Sequence, residues 1–261
     1  MLYNVRMSLV EFEIPELTGM KKPPRELHYA GNPRLLRRPK ISIVGSRRPG
    51  RYASMMTYRI AGALARRGVT IVSGAAMGID AAAHRGAGAE RTIAVLPCGI
   101  DLRYPALNAK LIDDIAQKGL LLSQFAPDFR AAPWSFVVRN ELVVALGDAL
   151  VVAEADLQSG SMRSVEFARR MGKRIYVLPH RLGESEGTNA LLAEGSAEAI
   201  FDPEAFAETF SPESGAEEDP LLSFCAMHPT YDEALAKFGE RLYEAELEGK
   251  ISVRDGRVMP T

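Results

Sequence analysis

The sequence predicts an α/β fold: an extended Rossmann-like, mostly parallel sheet with helices on both faces, plus a small C-terminal winged-helix-like domain. Six short runs rich in Val and Ile alternate with helix-length amphipathic segments from residue 41 to about residue 200. The runs are almost continuously apolar, as expected of parallel strands buried on both faces. With 47% hydrophobic and 25% charged residues, the 261-residue chain has a globular composition that excludes disordered and fibrous proteins.

The predicted strands follow one another along the chain with helical segments between them. Their sequences are ISIVGS from Ile41, VTIVSG from Val69, RTIAVLPCG from Arg91, GLLLSQF from Gly119, ALVVAEA from Ala149 and RIYVLP from Arg174. A repeat of strand, helix and strand forms a doubly wound sheet. Ligands of such sheets bind beyond the carboxyl ends of the strands, so the turns after the strands are the candidate sites.

The regions that flank this domain differ from it in composition. We predict an N-terminal arm packing on the core over residues 1–40, a Rossmann-like domain over 41–202, an acidic linker over 203–220 and a winged-helix-like domain over 221–261. In the last region, Thr230 to Leu247 predicts one or two amphipathic helices. Asp255-Gly256 is typical of the turn of a β-hairpin.

Charge is distributed unevenly along the chain. Residues 1–60 contain twelve Lys and Arg against four Asp and Glu, the middle has fifteen of each, and residues 201–261 contain five against fourteen. A basic flank can attract a polyanion, although such clusters are more often only solvated surface. Charge alone therefore leaves the partner open.

Several classes of protein are excluded or disfavoured. The longest apolar stretch, Leu142 to Ala155, is interrupted by Asp148, so no membrane helix is predicted. Acidic residues near the N-terminus disfavour a signal peptide, and we expect a soluble cytoplasmic protein. Cys98 and Cys225 lack the spacing of a disulfide framework or a zinc site.

The turn after the first strand contains Gly45, Ser46, Arg47 and Arg48. Small residues let the backbone approach a ligand, the start of the next helix attracts phosphate, and the arginines can add bidentate contacts. The turn matches neither the GxGxxG pattern nor a P-loop. Taken alone, a Gly-Ser turn more often serves only tight packing of strand against helix.

The turn after the second strand contains Ser73, Gly74 and Gly78, followed by Asp80 and His84. The glycines permit positive φ or close backbone approach, and the serine can donate to an anion. Asp80 and His84 are four residues apart on one helical face, where they can pair. We favour Asp80 capping the helix with His84 bonded to it over an acid and base couple, because no nucleophile accompanies them.

The segment around Trp134 places Phe136 beside Arg139 and Asn140. Aromatic rings next to a guanidinium can stack on bases while the cation binds a phosphate, as in proteins that hold single strands. The same rings can instead belong to the core. The two interpretations are evenly matched on the sequence.

Two more turns carry small polar side chains. Ser159, Gly160 and Ser161 lie after the fifth strand, and Gly187 to Asn189 opens a later helix. Serine at a helix start is commonly no more than an N-cap. Because the ends of neighbouring parallel strands converge, we nevertheless predict that these turns form one phosphate groove lined by arginines. The sequence offers no metal cluster and no nucleophile beside a base, so we expect no catalytic residue, no metal and no cofactor.

Taken together, these motifs resemble the DNA-processing protein A family (DprA, also called Smf). The matching segments are Ile43–Arg47, Ser73–His84, Ala94–Gly99, Tyr104-Pro105, Leu122-Ser123, Phe136, Arg139-Asn140, Val152, Glu154-Ala155, Ser159–Ser161 and Gly187–Asn189. The resemblance covers about Pro15 to Ile200. The ordered set is specific, although no single motif is.

The resemblance implies a protein that binds single-stranded DNA entering a cell by natural transformation, dimerises and helps load the RecA recombinase, without catalysis. The candidate DNA-binding and phosphate-binding residues are Gly45, Ser46, Arg47, Arg48, Ser73, Gly74, Gly78, Phe136, Arg139, Asn140, Ser159, Gly160, Ser161, Arg163 and Asn189. The C-terminal region is similar to the winged-helix-like domain of many members. Its acidity favours contacts with protein over duplex DNA.

This chain departs from the family pattern at one position of the expected groove. Where the family usually has Phe-Pro-x-Arg-Asn-Arg, Glu141 replaces the last cation, which should weaken anion binding locally. Arg163 can restore part of the missing charge.

Two alternatives to the DNA-binding mediator remain. An enzyme acting on nucleotides is the first, since the groove resembles that of phosphoribohydrolases, but the chain lacks their glutamate beside a PGGxGT loop. A protein-interaction module without DNA binding is the second, and Glu141 is its best argument.

Overall fold

A computed structural model describes residues 7–210, 220–254 and 256–260. The chain divides into two compact units, Met1–Pro212 and Glu213–Thr261. Each unit has a hydrophobic core of its own.

The first unit is built on a nine-stranded sheet with the order β1-β2-β6-β5-β4-β3-β7-β8-β9. The strands are β1 (Met7–Leu9), β2 (His28–Gly31), β3 (Lys40–Val44), β4 (Thr70–Ser73), β5 (Thr92–Val95), β6 (Leu120–Ser123), β7 (Ala149–Val152), β8 (Arg174–Val177) and β9 (Glu198–Ala199). In this spatial order, every neighbouring pair from β6 through β5, β4, β3, β7 and β8 to β9 is parallel. At the other edge, β2 pairs antiparallel with β6, and β1 pairs antiparallel with β2. The six runs of the sequence are the six central parallel strands, as predicted.

Helices cover both faces of this sheet. They are α1 (Arg51–Arg66), α2 (Ile79–Ala87), α3 (Ala109–Lys118), α4 (Pro133–Leu146), α5 (Gly160–Arg170), α6 (Glu186–Ala193) and α7 (Pro203–Glu208). Alternate residues of a strand reach opposite layers: Ile41 and Ile43 pack with α1 and α2, whereas Val44 packs with α4 and α5. The predicted α/β class and the mostly parallel sheet are confirmed.

The N-terminal region forms strands of the sheet as well as covering it. Two 3-10 turns, Pro15–Gly19 and Pro33–Arg37, lie between the strands, and Ile14, Leu35 and Leu36 are buried. β2 pairs with β6 in antiparallel register from His28 opposite Ser123 to Gly31 opposite Leu120. Sequence analysis predicted only an arm that packs on the core, without strands. Strands of three and four residues are too short to give a recognisable hydrophobic periodicity.

The boundary expected at residue 203 needs correction, because α7 occupies the start of the predicted linker. Phe206 and Ala207 are buried against the sheet, and the ring of Phe206 lies 4.9 Å from that of Tyr176. The acidic side chains on the outer face pair with arginines of the α1 end, Glu204 with Arg66. The acidic composition therefore marks the solvent face of a packed helix here, and residues 211–219 lie outside the described residues.

The order of strands creates a crevice at the centre of the sheet. From β3 the chain moves outward through β4 and β5 to β6, and then returns to the other side of β3 to form β7. The turns that follow β3 and β7 therefore lead to helices on opposite faces. Ligands of doubly wound sheets bind at such a switch point.

The second unit contains three helices followed by a hairpin. These elements are α8 (Pro220–Cys225), α9 (Tyr231–Phe238), α10 (Glu240–Leu247), β10 (Ile251–Arg254) and β11 (Arg257–Pro260). Thr230 and Glu233 form a capping box at the start of α9, and Gly239, with φ of 53°, separates α9 from α10. Asp255 of the expected turn lies outside the described residues, and the winged-helix assignment stays a prediction.

Candidate nucleic-acid interface

A cavity of about 370 Å³ opens at the switch point between β3 and β7. We call it the trough. Its lining residues are Val44, Gly45, Ser46, Arg47, Gly74, Ala76, Asp80, Arg139, Asn140, Val143, Ala155, Asp156, Ser159, Gly160, Ser161 and Ser164. Nine of the fifteen candidate residues line it. The other six do not line it: Arg48, Ser73, Gly78, Phe136, Arg163 and Asn189.

The turns after β3 and β4 form one wall of the trough because they dock tightly on each other. The N–H of Ile79 donates to the carbonyl of Ser46 at 3.1 Å. Gly78 has φ of 78°, and a Cβ there would collide with the carbonyl of Ser46. A Cβ on Gly45 would lie 2.6 Å from the Ile79 side chain. Gly78 therefore supports the trough without lining it.

Arg47 and Phe136 form the outer lip of the trough. The Arg47 side chain is exposed, and its guanidinium carbon lies 4.8 Å from the centroid of the Phe136 ring. Phe136 is half-buried and meets the edge of Tyr104 at 5.7 Å between centroids. These residues also line a smaller apolar depression that adjoins the trough through Arg47 and Gly74. A cation and a flat ring therefore lie side by side at the surface, as stacking sites for single strands require.

The turn after β4 faces inward, contrary to prediction. Ser73 is fully buried and its hydroxyl donates to the carbonyl of Ile43 at 2.7 Å. The N–H groups of Gly74 and Ala76 donate to the carboxylate of Asp80 at 3.1 and 3.3 Å. Ser73 therefore holds β4 to β3 and is not available to an anion.

His84 supports the same turn and is not paired with Asp80 as the sequence had suggested. Its Nε2 accepts the N–H of Ala75 at 3.2 Å, and its Nδ1 lies 2.6 Å from the hydroxyl of Thr92. Burial, with Arg139 and Arg85 nearby, lowers the pKa of His84 to about 3. The imidazole is therefore neutral at pH 7, with Nδ1 donating to Thr92, and it acts as a structural acceptor.

Arg139 is a buried support beneath the trough, and its expected contact with a phosphate stays a prediction. Its side chain is 3% exposed, and Nη1 donates to the carbonyls of Gly74 and Val95. Burial raises the pKa of Asp80, and the charge of Arg139 opposes that rise. The two buried groups compensate each other's charge. A Cβ on Gly74 would collide with the guanidinium, which explains the glycine at this position.

The turn after β7 presents hydroxyl groups that have no partner. The Oγ atoms of Ser159 and Ser164 are buried and make no hydrogen bond within the described part of the chain. Both residues line the trough, at the start of the eleven-residue helix α5. Gly160 leaves open space, since a Cβ there would meet nothing within 4 Å. Unpaired buried hydroxyls at a helix N-terminus suit a bound anion.

The turn after β8 uses the same kinds of residue differently, which corrects the prediction for Asn189. Its amide donates to the carbonyls of His180, Arg181 and Glu184 at 3.1–3.3 Å and accepts the N–H of His180 at 3.1 Å. All its polar atoms therefore close the loop before α6.

Two arginines predicted to bind phosphate, and the glutamate predicted to weaken anion binding, do not line the trough. Arg48 and Arg163 are exposed and are not among the residues that line it. Glu141 lies 3.5 Å from Arg170 on α5, so the acid that departs from the family pattern faces a cation away from the trough. Asn140 does line the trough, and its side-chain oxygen accepts from Nε of Arg139 at 3.1 Å.

The trough is less cationic than the sequence suggested. Arg47 and Arg139 line it together with Asp80 and Asp156, so the charged side chains balance. Its affinity for anions must come from the hydroxyls, the α5 N-terminus and the exposed Arg47. Sequence analysis missed Ser164, although its spacing of four residues from Gly160 places it one turn further along the same face of α5.

Other kinds of site find no support in the described residues. Over residues 7–210, 220–254 and 256–260, no group of three His, Cys, Asp or Glu side chains is arranged to hold a metal ion. In those same ranges, no helix has the length and hydrophobicity needed to cross a bilayer.

Comparison with known sequences identifies relatives of this chain. The sequence model of the family described as DNA recombination-mediator protein A matches residues 8–211. The DNA processing protein DprA of Streptococcus pneumoniae is 35% identical over 185 residues, which are 69% of this chain and 65% of that protein. A putative DNA processing protein DprA of Mycobacterium tuberculosis is 39% identical over 159 residues, 59% of this chain and 41% of that protein. The chain therefore spans only part of the length of these relatives.

Solved structures agree with the sequence relatives. DNA processing protein A of Helicobacter pylori superposes with a TM-score of 0.77 and 42% identity, covering 80% of this chain and 97% of that one, in a structure that describes its single-stranded DNA binding mode. DprA of Streptococcus pneumoniae superposes with a TM-score of 0.73 and 30% identity, covering 80% of this chain and 75% of that one. On both sequence and structure, the chain belongs to the DNA recombination-mediator protein A family.

Proposed function

We propose that this protein binds single-stranded DNA in the trough and acts as a recombination mediator. One observation carries the proposal: Ser159 and Ser164, whose buried hydroxyls have no hydrogen-bond partner among the described residues, line a cavity that has Arg47 and Phe136 at its lip. A phosphate between them satisfies the hydroxyls, which otherwise remain costly buried donors. The fold could remove that cost with alanine, so the hydroxyls point to a ligand.

The geometry suits a strand whose bases are unpaired. The phosphate binds at the start of α5, where backbone N–H groups and the helix dipole add to the hydroxyls. An adjoining base can stack on Phe136, beside which Arg47 lies 4.8 Å from the ring centroid. Neighbouring bases cover both faces of a base inside a duplex, so this contact favours single strands over duplex DNA.

The wider role rests on family membership. We propose that the protein protects incoming DNA in natural transformation, helps load the RecA recombinase and acts as a homodimer in the cytoplasm. The DprA relatives support this role by resemblance, and the chain covers only part of their length.

A binding function is better supported than an enzymatic one. The side chains suited to acid and base chemistry are engaged elsewhere: Asp80 accepts from two backbone N–H groups, and His84 is neutral and fully buried. Release of free base from a nucleotide by the purified protein would restore the phosphoribohydrolase alternative.

A salt titration of oligothymidylate binding tests the proposal. The logarithm of affinity should fall with the logarithm of salt concentration with a slope of about −0.7 per neutralised phosphate. Arg47→Ala should weaken binding about tenfold, because it removes an exposed cation and its contact with Phe136. Arg59→Ala, a charge-matched change on the exposed face of α1, is the control and should leave affinity nearly unchanged.

Either of two results contradicts DNA binding in the trough. One is the absence of oligothymidylate binding at low salt. The other is an equal effect of Arg47→Ala and Arg59→Ala, which would place binding elsewhere. Capture of RecA by a protein that ignores nucleic acid would favour the interaction module.

A further inference from the structure

A second cavity, of about 850 Å³, adjoins the trough on the side of β8. We call it the side pocket. It is lined by residues 50–53 at the start of α1, by Glu154 and Asp156 after β7, and by residues 179–181 and 183–185 after β8. Asp156 lines both cavities, so a ligand in the trough can continue into the side pocket.

The chemistry of the side pocket differs from that of the trough. Three carboxylates line it, Glu154, Asp156 and Glu184, against two arginines, Arg51 and Arg181. Glu154 accepts the N–H of Gly50 at 2.9 Å and closes the wall. Asp156 and Glu184 are exposed, and their carboxylates have no partner within the described residues. Such a lining disfavours phosphate and favours neutral groups that donate hydrogen bonds.

An aromatic surface completes the pocket. Tyr52 is 43% exposed and meets His180 edge to face, with 5.5 Å between ring centroids and 89° between planes. The His180 ring is held by its Nε2, which lies 2.8 Å from the carbonyl of Ala153. Tyr52 therefore offers a positioned ring against which a planar heterocycle can pack.

We propose that the side pocket receives an unstacked nucleobase of the strand whose phosphate occupies the trough, and that Asp156 and Glu184 favour bases with an exocyclic amine. This inference rests on the proposed function. Cytosine presents an amino donor at C4, whereas thymine and uracil present a carbonyl acceptor at the same position. A carboxylate accepts a hydrogen bond from the amine and repels the carbonyl oxygen.

Oligomers of deoxycytidine and deoxyuridine of equal length provide a matched test, because their bases share one ring and differ in the C4 group and in the hydrogen at N3, which uracil carries and cytosine lacks. Affinities are measured by fluorescence anisotropy at neutral to mildly alkaline pH. We expect wild-type protein to bind the deoxycytidine oligomer about fivefold more tightly, at the lower end of what one base contact contributes. Arg47→Ala should weaken both oligomers and keep their ratio.

Isosteric amide variants test the assignment of residues. In Glu184→Gln the ratio should fall, and in the double variant Asp156→Asn/Glu184→Gln it should approach one, because an amide can donate to the uracil carbonyl as well as accept. Glu166→Gln removes the same charge from an exposed site on α5 outside both cavities, and it should keep the wild-type ratio.

The outcomes separate this inference from the proposed function. If neither oligomer binds, the proposed function itself fails. If both bind equally and Arg47→Ala weakens both, the trough function stands and the base pocket is overturned. A cytidine preference that survives in the double amide variant also overturns it, since another surface then selects the base.

Discussion

The turns after β7 and β8 contain the same kinds of residue but use their polar groups differently. After β7, Ser159 and Ser164 keep buried hydroxyls without partners at the edge of the trough. After β8, Asn189 and Thr188 use their polar atoms to close their own loop. The first turn is open to a ligand and the second is closed. Donor chemistry in a turn therefore identifies a binding site only when the donors lack partners inside the protein.

The largest effect that tests this contrast is expected at Arg139. Its motif suggested a residue free to bind a ligand, but its guanidinium is bonded to carbonyls inside the protein. Arg139→Leu removes the cation that favours the ionised form of buried Asp80, and it leaves the carbonyls of Gly74 and Val95 without their donor. We expect the free energy of unfolding to fall by about 3–5 kcal/mol, as for other broken buried pairs. Urea unfolding measures it.

The matched control is Arg47→Leu, since Arg47 is the exposed arginine of the same groove. It should change the free energy of unfolding by less than about 0.5 kcal/mol. Equal stability of Arg139→Leu and wild type would show that the buried contacts of Arg139 are not needed, and would return it to the DNA-contacting group.

An intermediate effect is expected at Asn189. Asn189→Ala removes four hydrogen bonds that close the loop after β8 and should lower the free energy of unfolding by about 2 kcal/mol, with oligothymidylate affinity unchanged. Thermal or urea unfolding beside anisotropy checks both parts. Loss of affinity at unchanged stability would show that Asn189 contacts DNA, and the turns after β7 and β8 would then no longer differ in function.

The smallest effect on stability is expected at the open turn. Ser159→Ala/Ser164→Ala removes buried hydroxyls that make no hydrogen bond within the described residues, so the free energy of unfolding should not fall below that of wild type. Affinity for oligothymidylate should fall about tenfold, the effect of losing a charged hydrogen bond. Unfolding curves and anisotropy on the same samples measure the two.

Ser73→Ala is the control of the same residue type. Ser73 donates to the carbonyl of Ile43 from a fully buried site, so its loss should lower the free energy of unfolding by about 1 kcal/mol and leave affinity unchanged. If the double serine variant destabilises the protein as Ser73→Ala does while binding DNA normally, the hydroxyls of the open turn are structural.

The accuracy of sequence analysis followed how local the deciding interaction is. The six apolar runs became strands because each run is continuous in the chain and carries its own signal. The acidic start of the expected linker was misassigned because Phe206 packs on Tyr176, thirty residues earlier, and only its outer face is acidic. Arg47 and Arg139 were indistinguishable by type, yet the first is exposed and the second buried.

Periodicity and residue type were sufficient for the layer architecture, the order of strands and helices along the chain, and the edge of the sheet at which the trough opens, because these depend on patterns within short segments. The folded chain alone decided which donors remain free. The partners that satisfy Ser73 and Arg139 lie on other strands and turns, in places more than sixty residues away, as between Arg139 and Gly74, whereas those of Asn189 lie in the loop just before its helix. A hydrogen bond needs its partner within about 3 Å, and that proximity exists only after the sheet has assembled.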